Sequence, residues 1–177
     1  GSLKKVVMFV GPPNSGKSSL FNRLLGSDRA LVSDIPGTTR DLIESEVFYN
    51  NSSFGVLDSA GIRSTEDVVE GKGIGLAVAQ IKNVDVVVGV FDSLCAKKLS
   101  EIKALAGSKH FIAVLNKIDL GVVDNAGLFD VMVSAKNGDG ISELKDKISL
   151  VSENVKPDGQ KYFARSRHVK LFDQGLR

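Results

Sequence analysis

Cysteine, tryptophan and tyrosine are scarce: the 177 residues hold one, none and two of them. A single thiol, Cys95, closes no internal disulfide and builds no cysteine-cluster metal site. Lying just after an apolar run, it reads as an incidental thiol. No apolar run approaches the roughly 18 residues of a membrane-crossing helix. No apolar leader opens the chain, which begins Gly1-Ser2-Leu3-Lys4-Lys5; Gly1-Ser2 without an initiator Met reads as a cloning remnant. Neither sign of charge prevails, with 23 Lys and Arg against 21 Asp and Glu and a net charge of +2. That balance excludes a domain built wholly as a nucleic-acid clamp. Internal repeats and low-complexity tracts are also missing. What remains, 42% hydrophobic and 25% charged residues, is ordinary globular composition for one domain. The expectation is a cytoplasmic domain excised from a longer protein.

Glycine is plentiful, at 18 residues, and separates short apolar runs from helix-like stretches. Val6–Val10 reads as a buried strand, and 18–25 as a helix with Leu20, Phe21, Leu24 and Leu25 on one face. Residues 27–40 read as a loop. Residues 42–49 and 54–57 read as a hairpin turned at Asn50-Asn51-Ser52-Ser53. A second polar loop, 59–75, leads into a helix to about Lys82. Strands are expected at 84–91, 111–115 and 129–133, and helices at 99–105 and 141–151. Strands alternating with helices imply an α/β fold with a mostly parallel sheet covered on both faces. Pro157-Asp158-Gly159 marks a domain edge. Beyond it, Tyr162, Arg165, Val169, Phe172 and Leu176 recur at helical spacing. The simpler reading of that tail is a helix whose partner domain lies elsewhere; an RNA- or membrane-binding helix is the other.

Gly11-Pro12-Pro13-Asn14-Ser15-Gly16-Lys17-Ser18 matches G-x-x-x-x-G-K-[ST] between a strand and a helix. Gly11 and Gly16 let the backbone wrap without a Cβ clash, so that successive N–H groups form a nest for phosphate oxygens. The helix beginning near Lys17 adds its positive dipole end. Lys17 supplies a cation to the β- and γ-phosphates, and the Ser18 hydroxyl can ligate Mg²⁺. This much specifies a nucleoside triphosphate and not its base. Asp58 ends an apolar run and opens Asp58-Ser59-Ala60-Gly61. A carboxylate there can hold Mg²⁺ directly or through water, and Gly61 lets its N–H approach the γ-phosphate.

The base is read from Asn116-Lys117-Ile118-Asp119. Guanine presents N1–H and an amine side by side, and one carboxylate, Asp119, can accept from both. Adenine offers a lone pair where guanine has N1–H, so a discrimination of ~10⁴ is chemically reasonable. The Lys117 stem can cover the base face. A backbone N–H within Ser134-Ala135-Lys136 can meet guanine O6. N-K-x-D alone is as common as any solvated loop; in this order it points to GTP rather than ATP.

In sequence order these four motifs resemble the translation-factor-like class of small GTPases. The finer match is to the tRNA-modification GTPase family of MnmE (TrmE). Residues 11–22, 32–41 and 58–74 carry it. The first two stretches also suit the Der and Era families, whereas the Glu-x-x-Gly-Ile ending of the third, Glu70 to Ile74, favours MnmE. The resemblance covers about residues 4–155. It implies a P-loop GTPase (Ras-like) fold of three layers, a mostly parallel six-stranded sheet with helices on both faces. Residues 1–3 would be an N-terminal edge, and 156–177 a linker and the start of a helical-domain segment. Proteins of the family carry this domain inserted in a helical domain, after a folate-binding domain, and act with MnmG on the wobble uridine of tRNA. The family's C-terminal cysteine motif is absent here, so the RNA chemistry and tRNA contacts are expected outside this chain, and no membrane contact is expected.

Ras-like enzymes place a Gln after D-x-x-G to orient water. Here that residue is Ile62, which cannot hydrogen-bond. Arg40 and Arg63 lie near the loops, but nothing in the sequence selects either as a finger, and a solvated role is simpler. The resemblance implies dimerisation across the switch loops and a K⁺ in place of an arginine finger. Asn14 matches the family's K⁺-ligating asparagine, and Ser33, Ile35 and Thr38 match the loop that completes the shell. Thr39 matches the switch threonine that joins Ser18 and, through water, Asp58 on Mg²⁺. Glu70, a solvated acid on any local reading, matches the residue that orients water through a second water, with Lys17 as the other catalytic group. The GTP-contacting runs are then Asn14-Ser15-Gly16-Lys17-Ser18-Ser19, Ser33-Asp34-Ile35-Pro36-Gly37-Thr38-Thr39, Asp58-Ser59-Ala60-Gly61, Asn116-Lys117-Ile118-Asp119 and Ser134-Ala135-Lys136. Ser33 and Ser59 replace usual threonines, and Pro36, for a usual Ala, stiffens the K⁺ loop. Two other readings stay open: a Der- or Era-type ribosome-assembly GTPase, and a GTP-gated dimerisation module. The intact Lys17, Ser18 and Asp58 argue against loss of turnover.

Overall fold

A computed structural model of the chain describes residues 5–26, 29–31, 43–57, 79–121 and 124–154. Seven strands form one sheet: β1 (Lys5–Val10), β2 (Arg29–Leu31), β3 (Ile43–Tyr49), β4 (Ser52–Leu57), β5 (Val86–Phe91), β6 (His110–Leu115) and β7 (Val131–Met132), in the order β2-β3-β4-β1-β5-β6-β7. The run β4-β1-β5-β6-β7 is parallel, and β2 and β3 are antiparallel additions at one edge. Helices α1 (Lys17–Leu25), α2 (Leu99–Ala106) and α3 (Ile141–Asn154) complete the described layers. This is the expected P-loop GTPase fold. The sheet carries the short β2 besides the six longer runs anticipated, inside a stretch read as loop.

Alternation along the central strands sorts the core into two layers. Val7 and Phe9 of β1, Val86, Val88 and Val90 of β5, and Ile112 and Val114 of β6 pack with Leu20, Phe21 and Leu24 of α1 and Leu144, Ile148 and Val151 of α3. Val6, Met8, Val10, Val87, Phe91, Ala113 and Leu115 face the other way, onto Ile81, Ile102, Ala106 and Phe129. Edge-to-face packing of Phe9 on Phe21, 6.0 Å between ring centroids, joins β1 to α1. Gly89 interrupts an otherwise apolar β5 because the Phe111 ring fills its side-chain space: a Cβ there would lie 2.4 Å from Phe111 Cζ.

Two strands begin later than expected, for one reason. Asp85 was expected in β5, but its Oδ2 accepts the Val6 N–H at 2.8 Å while its own N–H donates to Val6 O. Asp130 does the same to Ala113 ahead of β7. A carboxylate that takes a ladder N–H replaces the strand partner at that point. The hairpin is also tighter than expected. Asn50 and Asn51, at φ 49° and 64°, form the whole turn, and Tyr49 pairs with Ser52. Two consecutive positive φ values suit a two-residue hairpin turn, and asparagine tolerates them. The parallel strands β1, β5, β6 and β7 all end at one edge, where the following loops meet at the position where open α/β sheets bind ligands. Among the described residues no helix is long and apolar enough to cross a membrane.

Candidate nucleotide-binding site

The phosphate loop leaves β1 at Gly11, pressed so closely on β5 that a Cβ there would lie 2.3 Å from Val90 O. Asn14 (φ 65°) and Gly16 (φ 86°) both adopt the left-handed region, which turns successive N–H groups to one side. At Gly16 a Cβ would also meet Asn116 Nδ2 at 2.3 Å, so glycine is required there twice over. The α1 ladder opens with Leu20 N–H donating to Gly16 O at 2.9 Å. Its N-terminus has no side-chain cap and no acidic residue in its first turn. The first N–H groups and the dipole are therefore left to an anion. Lys17 is buried, at 2% exposure, whereas Ser18 and Ser19 are exposed on the first turn. The Ser15 hydroxyl is buried without a hydrogen-bond partner among the described residues.

Asn116, at the end of β6 and 3% exposed, joins three segments. Its Nδ2 donates to Ser15 O and its Oδ1 accepts from Ala135 N–H, both at 3.0 Å, while its N–H donates to Phe91 O. One buried amide thus ties the phosphate loop to the turn after β7. Lys117 follows in the left-handed region at φ 63°. Its ammonium donates to Asn14 O and lies 3.2 Å from Asp92 Oδ2. Asp119 Oδ1 accepts from Ser134 Oγ at 2.8 Å, and Ser134 Oγ in turn accepts from Asn137 N–H at 3.0 Å.

Two residues that the sequence reading passed over organise this edge. Asp92, just past β5, accepts at Oδ1 from Leu94 N–H, Cys95 N–H and the Cys95 thiol, and at Oδ2 from Lys117. Burial pushes its carboxyl up, but the Cys95 thiol, Lys117 and the Leu94 N–H outweigh that and hold it below the ordinary carboxylate value. Burial, reinforced by the hydrogen bond to and the charge of Asp92, pushes the Cys95 thiol up to about 11. Arg23, near the end of α1, donates from Nε to Ala135 O at 2.9 Å and from a terminal nitrogen to Lys136 O at 2.6 Å. The only available signal for Asp92 was an Asp-x-x-Cys turn at a strand end; Arg23 had none.

Chemically, this edge offers N–H groups turned to one side beside a lysine, a carboxylate at Asp119 and, among the described residues, one backbone donor without an acceptor in the turn 134–138. Asn14, Lys17, Asn116, Lys117, Asp119 and Ser134–Lys136 lie together at this edge. Ser33 to Thr39, Asp58 to Gly61, Glu70, Ile62, Arg40, Arg63 and the 156–177 tail lie outside the described residues.

A family profile described as "50S ribosome-binding GTPase" matches residues 6–117. The tRNA modification GTPase MnmE of Thermosipho melanesiensis is 39% identical over 175 residues, covering 96% of this chain and 39% of that protein. MnmE of Finegoldia magna is 43% identical over 179 residues, covering 95% and 39%. The chain therefore spans about two-fifths of the length of these relatives. The crystallised G domain of the T. maritima FeoB iron transporter superposes with a TM-score of 0.57 at 24% identity, over 84% of this chain and 99% of that one, a likeness of fold. With a profile matched over residues 6–117 and the sheet order described above, the chain belongs to the 50S ribosome-binding GTPase family, and it is similar to the GTPase domain carried by MnmE.

Proposed function

We propose that this chain is the GTP-binding and GTP-hydrolysing domain, residues 4–155, of a protein that modifies the wobble uridine of tRNA together with MnmG. Asn116 is the observation that carries the GTP part: one side chain holds the phosphate loop at Ser15 and the base-side turn at Ala135. Both ends of one nucleotide are then met by a single rigid edge. Asp119, turned by Ser134, accepts guanine N1–H and its amine. Lys17 and the α1 N-terminus hold the phosphates. Ser18, an exposed hydroxyl beside Lys17, is a hard oxygen donor suited to Mg²⁺, with Thr39 and, through water, Asp58 as its companions. Mg²⁺ when bound neutralises charge developing between the β- and γ-phosphates.

For hydrolysis, the similarity to MnmE supports a K⁺ held by Asn14, Ser33, Ile35 and Thr38, with Glu70 orienting water, in a dimer formed across the switch loops. The Asn14 carbonyl is already taken by Lys117, which leaves its side-chain amide for the ion. Turnover of GTP in KCl and NaCl, with light scattering in a GDP–AlFₓ state, tests this. Faster turnover and dimerisation in K⁺ are expected, both lost in Asn14→Ala, whereas Glu70→Ala slows turnover about 10²–10³-fold and still dimerises. Equal rates in the two salts overturn the K⁺ assignment and favour the other reading, a Der- or Era-type ribosome-assembly GTPase.

A further inference from the structure

Reading guanine fully requires a donor to O6 as well as the carboxylate of Asp119. The turn after β7 shows which donor is free. Ser134 N–H donates to Asp139 O, Ala135 N–H to Asn116 Oδ1, Asn137 N–H to Ser134 Oγ and Gly138 N–H to Ser134 O. Among the described residues this leaves Lys136 N–H as the one backbone donor of residues 134–138 without an acceptor. That N–H belongs to the Ala135–Lys136 peptide, whose carbonyl is held by Arg23 Nε at 2.9 Å. In a planar trans peptide the C=O and N–H point in opposite directions. Drawing Ala135 O toward α1 therefore faces Lys136 N–H away from α1. The following peptide is held at both ends, by Arg23 at Lys136 O and by Ser134 at Asn137 N–H. Among the described residues, Arg23 is thus the sole anchor on the peptide that carries the free donor.

We propose that Arg23 is a positioning residue for guanine: its guanidinium fork, spanning the Ala135 and Lys136 carbonyls, aims Lys136 N–H at guanine O6. The proposal rests on the guanine reading above. A planar fork suits the task because its donors hold two successive carbonyls in a fixed geometry, whereas the three donors of a lysine rotate on a flexible stem. It also links the two halves of the ligand, since Arg23 belongs to the helix whose N-terminus faces the phosphates. The guanidinium lies across the turn, 3.7 Å from where a Cβ on Gly138 would stand.

The test compares GDP with 6-thio-GDP, which keeps N1–H and the amine but replaces O6 by a poorer acceptor. Affinities are measured at neutral pH for the parent, Arg23→Ala and Arg23→Lys, with ADP as a further ligand. Arg23 is exposed on a helix, so both variants should keep the parent's circular dichroism spectrum. The parent is expected to prefer GDP roughly tenfold, the worth of one good hydrogen bond. In both variants that preference should fall to about threefold or less, through weaker GDP binding, with 6-thio-GDP nearly unchanged. A purely structural role would weaken both nucleotides alike and overturns the proposal. So does an unchanged ratio in Arg23→Ala, a ratio restored by lysine, or a parent that prefers GDP to ADP but not to 6-thio-GDP. A parent that binds ADP as well as GDP overturns the guanine reading itself.

Discussion

Replacing Asn116 by alanine removes both hydrogen bonds of a buried amide and leaves two backbone groups without partners, Ser15 C=O and Ala135 N–H. Each orphaned group costs about 1–3 kcal/mol when it stays buried. Water entering the space left by the amide brings the sum toward the lower half, roughly 2–4 kcal/mol. For a chain of this size that corresponds to a fall in Tm of roughly 5–15 °C in the absence of nucleotide. Asn116→Asp sharpens the argument. One carboxylate oxygen still accepts from Ala135 N–H, but the other now faces the Ser15 carbonyl oxygen. The charged form is disfavoured, so the folded state binds a proton more tightly than the unfolded one. Stability of this variant should rise as pH falls toward the carboxylate range, opposite to the parent's trend. Thermal melts of the parent and both variants, without and with GDP, read these effects. The variants should also gain less from GDP than the parent, because the loop and the base-side turn are no longer held in register. An Asn116→Ala melt within about 2 °C of the parent would refute the reasoning, since no orphaned pair is worth so little.

Three further outcomes follow from the same edge. Asp119→Asn should exchange GTP for XTP preference, because one acceptor oxygen becomes a donor that suits the 2-oxo group of xanthine; competition binding with GTP, XTP and ATP reads it. Asp92 has its carboxyl held below the ordinary value of 3.8, so its pairing stabilises the fold above that value and is lost as pH falls through the lower folded one. Melting temperature should therefore drop more steeply below about pH 4 in the parent than in Asp92→Asn. Cys95, pushed from 9.0 to about 11, should alkylate with iodoacetamide about a hundredfold more slowly than an ordinary thiol near neutral pH, because only the thiolate reacts.

What the sequence by itself determined is local or periodic. The phosphate loop was legible because its glycines, lysine and serine are contiguous and the strand and helix around them are short and apolar. The central strands were legible because burial on both faces demands continuous apolar runs, and their alternation already divides the core into its two layers. Asn116 and Asp119 were legible as a motif, but what they touch was not. The Asn116 amide reaches Ser15 and Ala135 from opposite directions, and only the parallel order of β1, β6 and β7 brings those positions together. Tertiary structure likewise decided the strand starts at Val86 and Val131, where Asp85 and Asp130 take ladder N–H groups from neighbouring strands. It decided β2, which exists only because β3 offers an edge. Arg23 and Asp92 depend on it most. Arg23 looks like any solvated cation on a helix until a turn 112 residues away presents two carbonyls to it. Asp92 looks like any loop acid until Lys117 arrives from the next strand. A hydrogen bond is set by distance in space, and propensity and periodicity report only on neighbours along the chain.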